Sequence, residues 1–196
     1  MRNATKLGAV LLLTASVAAA FTLKMPPPPL IEMKGATPYG LAAGLFVPKD
    51  TGEYKFTVKT SPFDKMVYPI GEQTAGLFEK NLPSVFKSVA AAAAPKPAPG
   101  VDLVVEPSIV KFEAVVPHPA YNPYTATIVL RVTVYDRDGN KVFTQTATGN
   151  GQTGKGMGSG FKAQSLAAEA AQAAMVDATK QILEGLLAAP EIKEYK

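Results

Sequence analysis

The sequence has no cysteine and no tryptophan, and it has only one histidine in 196 residues. Without cysteine the chain cannot be a disulfide-stapled scaffold, so its stability depends on a hydrophobic core. A metal cluster built from His and Cys is excluded as well, because His118 has no second ligand of either kind. The same absence removes the cysteine that carries the lipid anchor of bacterial lipoproteins.

The chain also lacks an apolar run long enough to cross a membrane. Residues 1–20 contain two basic residues, Arg2 and Lys6, then 14 mostly apolar residues that end in an Ala-x-Ala pattern. This order is typical of a secretory signal peptide, and the apolar part is shorter than the roughly 20 residues of a membrane span. We therefore predict that residues 1–20 are a signal peptide, cleaved after Ala18 or Ala20, and that the protein is exported to the periplasm or to the outer membrane.

There is no strong excess of charge of one sign. The chain has 20 Lys and Arg against 16 Asp and Glu, a formal net charge of +4, and the predicted signal peptide carries two of the basic residues. What remains has a net charge of +2, with no dense basic cluster, and a surface of that kind does not track phosphates. We predict no nucleic-acid partner.

Proline, in contrast, is concentrated near the start of the chain. Four prolines occupy positions 26–29, a run that favours an extended polyproline II segment. We predict that residues 21–38 are an extended, proline-rich spacer. The alternative is that the run is a ligand for a proline-binding groove.

The remaining pattern predicts one α+β domain over residues 39–189, followed by a tail over 190–196. Two short strands, "GLAAGLFVP" and "EYKFTVKT", flank a turn at "KDTG". An amphipathic helix is predicted over residues 70–89, with a kink or a break at Pro83 because proline lacks the amide donor. Residues 90–100 are predicted to be a surface excursion.

The second half of the domain is predicted to be strand-rich and to end in a helix. The stretch "VDLVVEPSIVKFEAVVP" is one strand interrupted at Pro107, or two strands. "YTATIVLRVTVYD" and "KVFTQTATG" alternate apolar and polar residues about an Asp-Gly turn, which predicts a hairpin. An alanine-rich helix follows and stops near residues 185–190. The fold class is α+β: a mixed or antiparallel sheet with two helices packed on one face, in the order strands, helix, strands, helix.

The glycine-rich stretch "GNGQTGKGMGSG" matches part of a nucleotide-binding P-loop. Gly149, Gly154 and Lys155 have the right spacing, but Gly156 stands where Ser or Thr would hold magnesium. The strand before this stretch also belongs to an antiparallel hairpin. We predict no nucleotide binding and interpret the stretch as a flexible connection, or as a loop that orders on a partner.

No catalytic constellation stands out in the sequence. His118 is interpreted as a loop residue, the serines have no catalytic context, and no carboxylate pair is singled out. We therefore predict a protein that is not an enzyme, with no cofactor and no metal. The candidate partner contacts are Tyr121 and Tyr124 in a proline-rich loop, together with Lys155. The alternative for the two tyrosines is that their rings fold back onto the sheet edge.

Three stretches together resemble a class of small envelope proteins. They are "YPIGEQTAGLFEKNLPSVFKSV", "ATIVLRVTVYDRDGNKVFTQTATGNGQ" and "LAAEAAQAAMVDATKQIL". Their layout over residues 40–188 is similar to that of the auxiliary lipoproteins of ABC-type export systems and of the lipopolysaccharide-assembly lipoprotein. The resemblance implies docking onto a larger envelope complex rather than catalysis. The chain departs from it at Phe21, where a lipidated cysteine would be expected, so association with the membrane would be indirect.

From these observations we predict an accessory protein of the cell envelope that acts by protein-protein contact, at a sheet edge and at the loops around Tyr121 and Lys155. A homo-oligomer is compatible with this prediction. One alternative is a periplasmic carrier of a lipid or another apolar ligand. Another is a hydrolase that uses carboxylates not identified from the sequence.

Overall fold

The computed structural model describes residues 19–60, 64–117, 123–153 and 161–195. Its strands are β1 (Ala19–Thr22), β2 (Tyr39–Leu45), β3 (Phe56–Lys59), β4 (Asp64–Tyr68), β5 (Phe86–Ala91), β6 (Leu103–Val115), β7 (Thr125–Tyr135) and β8 (Lys141–Gln152). Its helices are α1 (Lys49–Gly52), α2 (Ile70–Asn81), a 3₁₀ turn (Leu82–Ser84), α3 (Phe161–Ala188) and α4 (Pro190–Lys193).

Two mixed sheets and two main helices form the framework. The larger sheet has the order β5-β2-β6-β7-β8, in which β2 runs parallel to both of its neighbours and the other pairs are antiparallel. The long helix α3 packs on β7 and β8, and α2 contacts both α3 and β6. The predicted α+β class, with a mixed sheet covered by helices, is confirmed.

A second, three-stranded sheet was not part of the prediction. Its order is β1-β4-β3, with β1 parallel and β3 antiparallel to the central β4. Aromatic rings join it to the larger sheet. The ring centroid of Phe112 on β6 lies 5.1 Å from that of Phe56 and 5.6 Å from that of Tyr68. The predicted turn at "KDTG" is the short helix α1.

The helix predicted over residues 70–89 is only partly correct. It ends at Asn81, and Pro83 lies in the following 3₁₀ turn, where the missing amide donor does least harm. Residues 86–91 are not helical but form β5, parallel to β2. Val85 and Phe86 are nevertheless fully buried, as part of the hydrophobic core.

Strand β6 runs unbroken through Pro107, where the sequence suggested an interruption. Pro107 is opposite Val132 of β7, and β2 pairs with β6 only as far as Val105. Beyond that point no strand of the described residues pairs with this edge of β6, which is where a residue without an amide donor is tolerated. The irregularity comes at Val110, an extra residue between Ile109 and Lys111 that makes a β-bulge.

The hairpin of β7 and β8 is confirmed, and its turn has the chemistry that its sequence indicates. Asp136 Oδ1 accepts hydrogen bonds from the Asp138 N–H (2.9 Å) and the Asn140 N–H (2.8 Å). Gly139 has φ 84°, a conformation that side chains with a Cβ rarely adopt. The return strand is longer than predicted, because β8 continues through Gly149 as far as Gln152.

Residues 21–38, predicted as a spacer, lie against the rest of the fold. Phe21 and Thr22 belong to β1, and Leu23, Met25 and Ile31 are buried. Residues 23–38 belong to no helix and to no strand. They contain a turn at residues 34–35, and they are packed onto the domain rather than standing free of it as a spacer.

Candidate functional site

Of the three residues predicted to contact a partner, the structure describes only Tyr124. Tyr121 and Lys155 lie outside the described residues, as does His118. Tyr124 directly precedes β7 and is only 3% exposed, and burial raises the pKa of its hydroxyl. For Tyr124 the structure shows the alternative in which the ring folds back onto the sheet, so this side chain offers no surface to a partner.

Tyr124 is part of the hydrophobic core of the domain. The pKa of Tyr68 is raised to about 12, mainly by burial and secondly by the charge that Tyr124 would carry. The carbonyl of Tyr124 accepts a hydrogen bond from the Thr153 N–H (3.1 Å) just beyond β8. These contacts give Tyr124 a structural role.

The first glycine of the P-loop-like pattern has a packing role. Gly149 is opposite Ile128 in the ladder of β7 and β8. A Cβ built on Gly149 would lie 2.0 Å from Ala174 O, and one on Gly151 would lie 2.0 Å from Ala170 O. These glycines let the backbone of β8 approach α3 closely. The rest of the pattern, from Gly154 onward, lies outside the described residues.

The two carboxylates whose pKa values the fold lowers, Asp102 and Asp136, have structural hydrogen-bond partners. The pKa of Asp102 is held below its usual value, first by the Ala42 N–H (2.8 Å) and then by Arg137, with which it forms an ion pair. The pKa of Asp136 is lowered by the amides of the hairpin turn, that of Asn140 first. In the described ranges no three His, Cys, Asp or Glu residues are grouped so that they could hold a metal ion.

One edge of the larger sheet, that of β8, is occupied by side chains of α3. Gln181 Nε2 donates to Thr148 O (3.0 Å), and Asp177 Oδ2 accepts from the Asn150 N–H (3.1 Å). Gln181 Nε2 also donates to Asp177 Oδ1 (3.2 Å), which holds the two side chains together. These side chains are hydrogen-bonded to main-chain groups of β8 that a partner strand would need for pairing. Covering an edge in this way is one means by which proteins prevent unwanted strand pairing.

The opposite edge, that of β5, is open. Among the described residues no strand pairs with β5 on the side away from β2. The Ala92 N–H, just beyond the end of β5, donates to Leu45 O of β2 (2.9 Å), so the main-chain groups of Ala92 face β2. Because the N–H and C=O groups of successive strand residues point to opposite edges, those of Val89 and Ala91 face outward.

A groove lies beside this open edge. We call it the β5 groove; its volume is about 350 Å³, and it is bounded by β5, the end of β2 and the outer side of α2. Its lining is mostly small and apolar, with Glu79 as the acidic residue. Its apolar members include Leu45, Val47, Ala75 and Val89. The open edge and the β5 groove together form the candidate binding site.

The sequence pattern did not reveal this site. Residues 86–89 continue the helical apolar spacing of α2, so the open strand was assigned to a helix. The signal that could have located the end of the helix is Pro83, followed by the β-branched Val85 and Val89. Nothing in the sequence distinguishes Asp177 and Gln181, which protect the other edge, from other polar residues on α3.

No family model matches the chain, and no curated protein matches it. Among solved structures, the fold is similar to that of a Xanthomonas campestris protein assigned to family DUF330. The TM-score is 0.55 at 13% identity, over 87% of this chain and 95% of that one. A minor lipoprotein from Acinetobacter baumannii aligns at TM-score 0.46 and 11% identity, over 78% and 94% of the two chains. At these identities the first match establishes a shared fold.

A membrane-spanning helix is not found either. None of the helices in the described part of the chain combines the length and the apolar character needed to span a bilayer.

Proposed function

We propose that this protein is an exported accessory protein of the cell envelope that acts by binding another protein, with β5 as the strand at which it binds. The observation that carries the proposal is the contrast between the two edges of the larger sheet. Side chains of α3 occupy the β8 edge, whereas β5 is open along its outer side in the described structure. Export is supported by the signal-peptide pattern of residues 1–20.

Strand addition is the binding mode that this geometry supports best. A partner segment that extends a sheet gains affinity from main-chain hydrogen bonds and specificity from pockets that take alternate side chains. Val89 and Ala91 present the main-chain groups, and the β5 groove lies directly beside them. Because its lining is small and mostly apolar, we expect an extended partner segment with apolar side chains at alternate positions.

The test uses two prolines placed on the two edges. Val89→Pro removes an outward N–H from β5 without removing a hydrogen bond to β2, and proline is tolerated at such edge positions. Thr146→Pro is the matched control on β8. The Thr148 carbonyl and the Asn150 N–H face the outer edge of β8, where they bond to side chains of α3. Because main-chain groups alternate along a strand, the Thr146 N–H faces the same edge. Each tagged variant is purified from gently solubilised envelope, and its bound proteins are identified by mass spectrometry.

We expect Val89→Pro to lose a partner that the unchanged chain and Thr146→Pro both retain. Retention of the partner by Val89→Pro, with the variant folded, would contradict the proposed binding strand. An apolar small molecule that co-purifies with the chain, with no partner protein, would contradict the proposal in favour of a carrier.

A further inference from the structure

The proline run crosses the two main helices and is held at both ends. We call residues 23–31 the strap. At its start, Leu23 is buried and its N–H donates to Val67 O (2.9 Å) on β4. At its end, Ile31 is buried and its N–H donates to Asn81 Oδ1 (2.7 Å) on α2. Between these anchors the strap passes over side chains of α2 and α3.

Each of the four proline carbonyls accepts a hydrogen bond from a helix side chain. The donors are Gln172 Nε2 to Pro26 O (3.1 Å) and Pro27 O (2.9 Å), Lys80 Nζ to Pro28 O (2.8 Å), and Asn81 Nδ2 to Pro29 O (3.1 Å). Asn81 is fully buried, and its Nδ2 also donates to Leu77 O (2.8 Å), which fixes the orientation of the amide. Donors from two helices thus match four successive acceptors.

This arrangement suits a polyproline II ligand in particular. Such a segment has no internal hydrogen bonds, so its carbonyls stay available, and its prolines are already fixed in φ, so little entropy is lost on docking. The surface is also shaped for the ring of Pro28, because Gly76 of α2 has no side chain. A Cβ on Gly76 would lie only 3.0 Å from Pro28 Cγ.

We propose that α2 and α3 form a recognition site for a polyproline II peptide, and that the strap is the ligand of this site, held in cis. The site then accepts a second proline-run peptide only when the strap is displaced. This inference does not depend on the proposed function, since it concerns Gly76, Lys80 and Asn81 on α2 and Gln172 on α3 rather than the β5 edge.

The first experiment asks whether the site binds the same peptide in trans. The probe is a labelled synthetic peptide with the sequence of residues 21–33, and the host is the full chain in which positions 26–29 are changed from Pro to Gly-Ser-Gly-Ser. A matched peptide with the same Gly-Ser-Gly-Ser change is the control ligand. Binding is measured by fluorescence anisotropy, and circular dichroism checks that the host is folded.

We expect saturable binding of the proline peptide to the changed host, at least about 10-fold tighter than that of the control peptide. Adding Gln172→Ala to the host removes two donors to the ligand and should weaken binding about 10-fold. The unchanged chain should bind the peptide at least about 10-fold more weakly, since its own strap competes at a high effective concentration. No saturable binding to a folded host, or binding independent of the peptide's prolines, would overturn the proposal.

A second measurement tests whether the strap detaches from an intact domain, and it does not require the changed host to fold. The Leu23 and Ile31 amides report the two ends of the strap by hydrogen exchange. They should exchange at least about 100-fold faster than β7 core amides in the unchanged chain. Exchange of both at the rate of the core amides would overturn the proposal, because the strap would then be released only by global unfolding.

A disulfide provides the matched closed state. The Cβ of a residue at position 76 would lie 3.9 Å from Pro28 Cβ, which is within the range of natural disulfides. The chain has no cysteine of its own, so within one molecule Pro28→Cys with Gly76→Cys can form only this bridge. Oxidation should slow exchange at both reporter amides, and reduction should restore it. Exchange that is the same in both redox states would again overturn the proposal.

Discussion

Replacing Gly149 by alanine tests the close packing between β8 and α3. The added Cβ would lie 2.0 Å from Ala174 O and 2.5 Å from Ala178 N, whereas real Cβ atoms keep at least 3.0 Å from such neighbours. Both are backbone atoms, which cannot rotate away as a side chain does. The helix would therefore have to withdraw by about 1 Å, and a gap of that size forfeits roughly a quarter to a half of the dispersion attraction along the contact.

The expected cost is about 3 kcal/mol in the free energy of unfolding, at the upper end of what overpacking a core usually costs. The control is Gly40→Ala on β2, where an added Cβ meets nothing within 4 Å. That change should be neutral or stabilise by up to about 1 kcal/mol, because alanine restricts the unfolded chain. Urea unfolding followed by circular dichroism measures both variants.

The result that would refute this reasoning is a Gly149→Ala variant within about 0.5 kcal/mol of the Gly40→Ala variant. Such a result is what a flexible glycine connector at Gly149 would give, because a connector has room for a methyl group.

Three further predictions concern polar groups that hold the fold together. Tyr39→Phe removes the hydroxyl whose one proton is shared between two carbonyls of the last turn of α3 (3.0 and 2.7 Å), and it should cost about 1 kcal/mol in urea unfolding. A loss no greater than that of Tyr54→Phe would count against this. Asn81→Ala leaves the buried Ile31 N–H and the Pro29 carbonyl of the strap without partners and should cost about 3 kcal/mol, and a cost below about 1 kcal/mol would contradict it. The pKa of Asp102 is lowered by folding, so its contribution is present above its unfolded pKa and is lost as the pH falls through the folded value. Asp102→Asn should therefore flatten the loss of stability below about pH 4, and an unchanged acid slope would contradict this.

The parts of the fold that the sequence predicted well depend on local chemistry. The β7–β8 hairpin is specified by alternating residues and by a five-residue turn in which Asp136 binds the amides and Gly139 takes the positive φ. The helix α3 follows from a long alanine-rich run that stops near Pro190.

The parts that the sequence did not predict depend on contacts between distant residues. β5 has helical apolar spacing and becomes a strand only because β2 lies beside it. The strap is extended for a local reason, but its docking depends on Asn81 and Gln172, which are 50 or more residues away. Gly149 belongs to a glycine-rich stretch that looks like a loop, and only the position of α3 explains why a side chain is excluded there.

The candidate site could not be predicted from the sequence either, because it also depends on contacts between distant residues. Tyr124 was predicted as an exposed contact or as a ring folded back on the sheet, and the structure shows the second. An open edge is a property of the whole sheet, since it depends on which strand has no neighbour and on which helix side chains reach the other edge.

The measurement that most directly tests the central claim is the size of the native particle that holds this protein in gently solubilised envelope. The account predicts a discrete particle far larger than the monomer, which Val89→Pro reduces to the monomer and Thr146→Pro leaves intact. Migration of the unchanged protein as a lone monomer would contradict the claim that it acts by binding another protein.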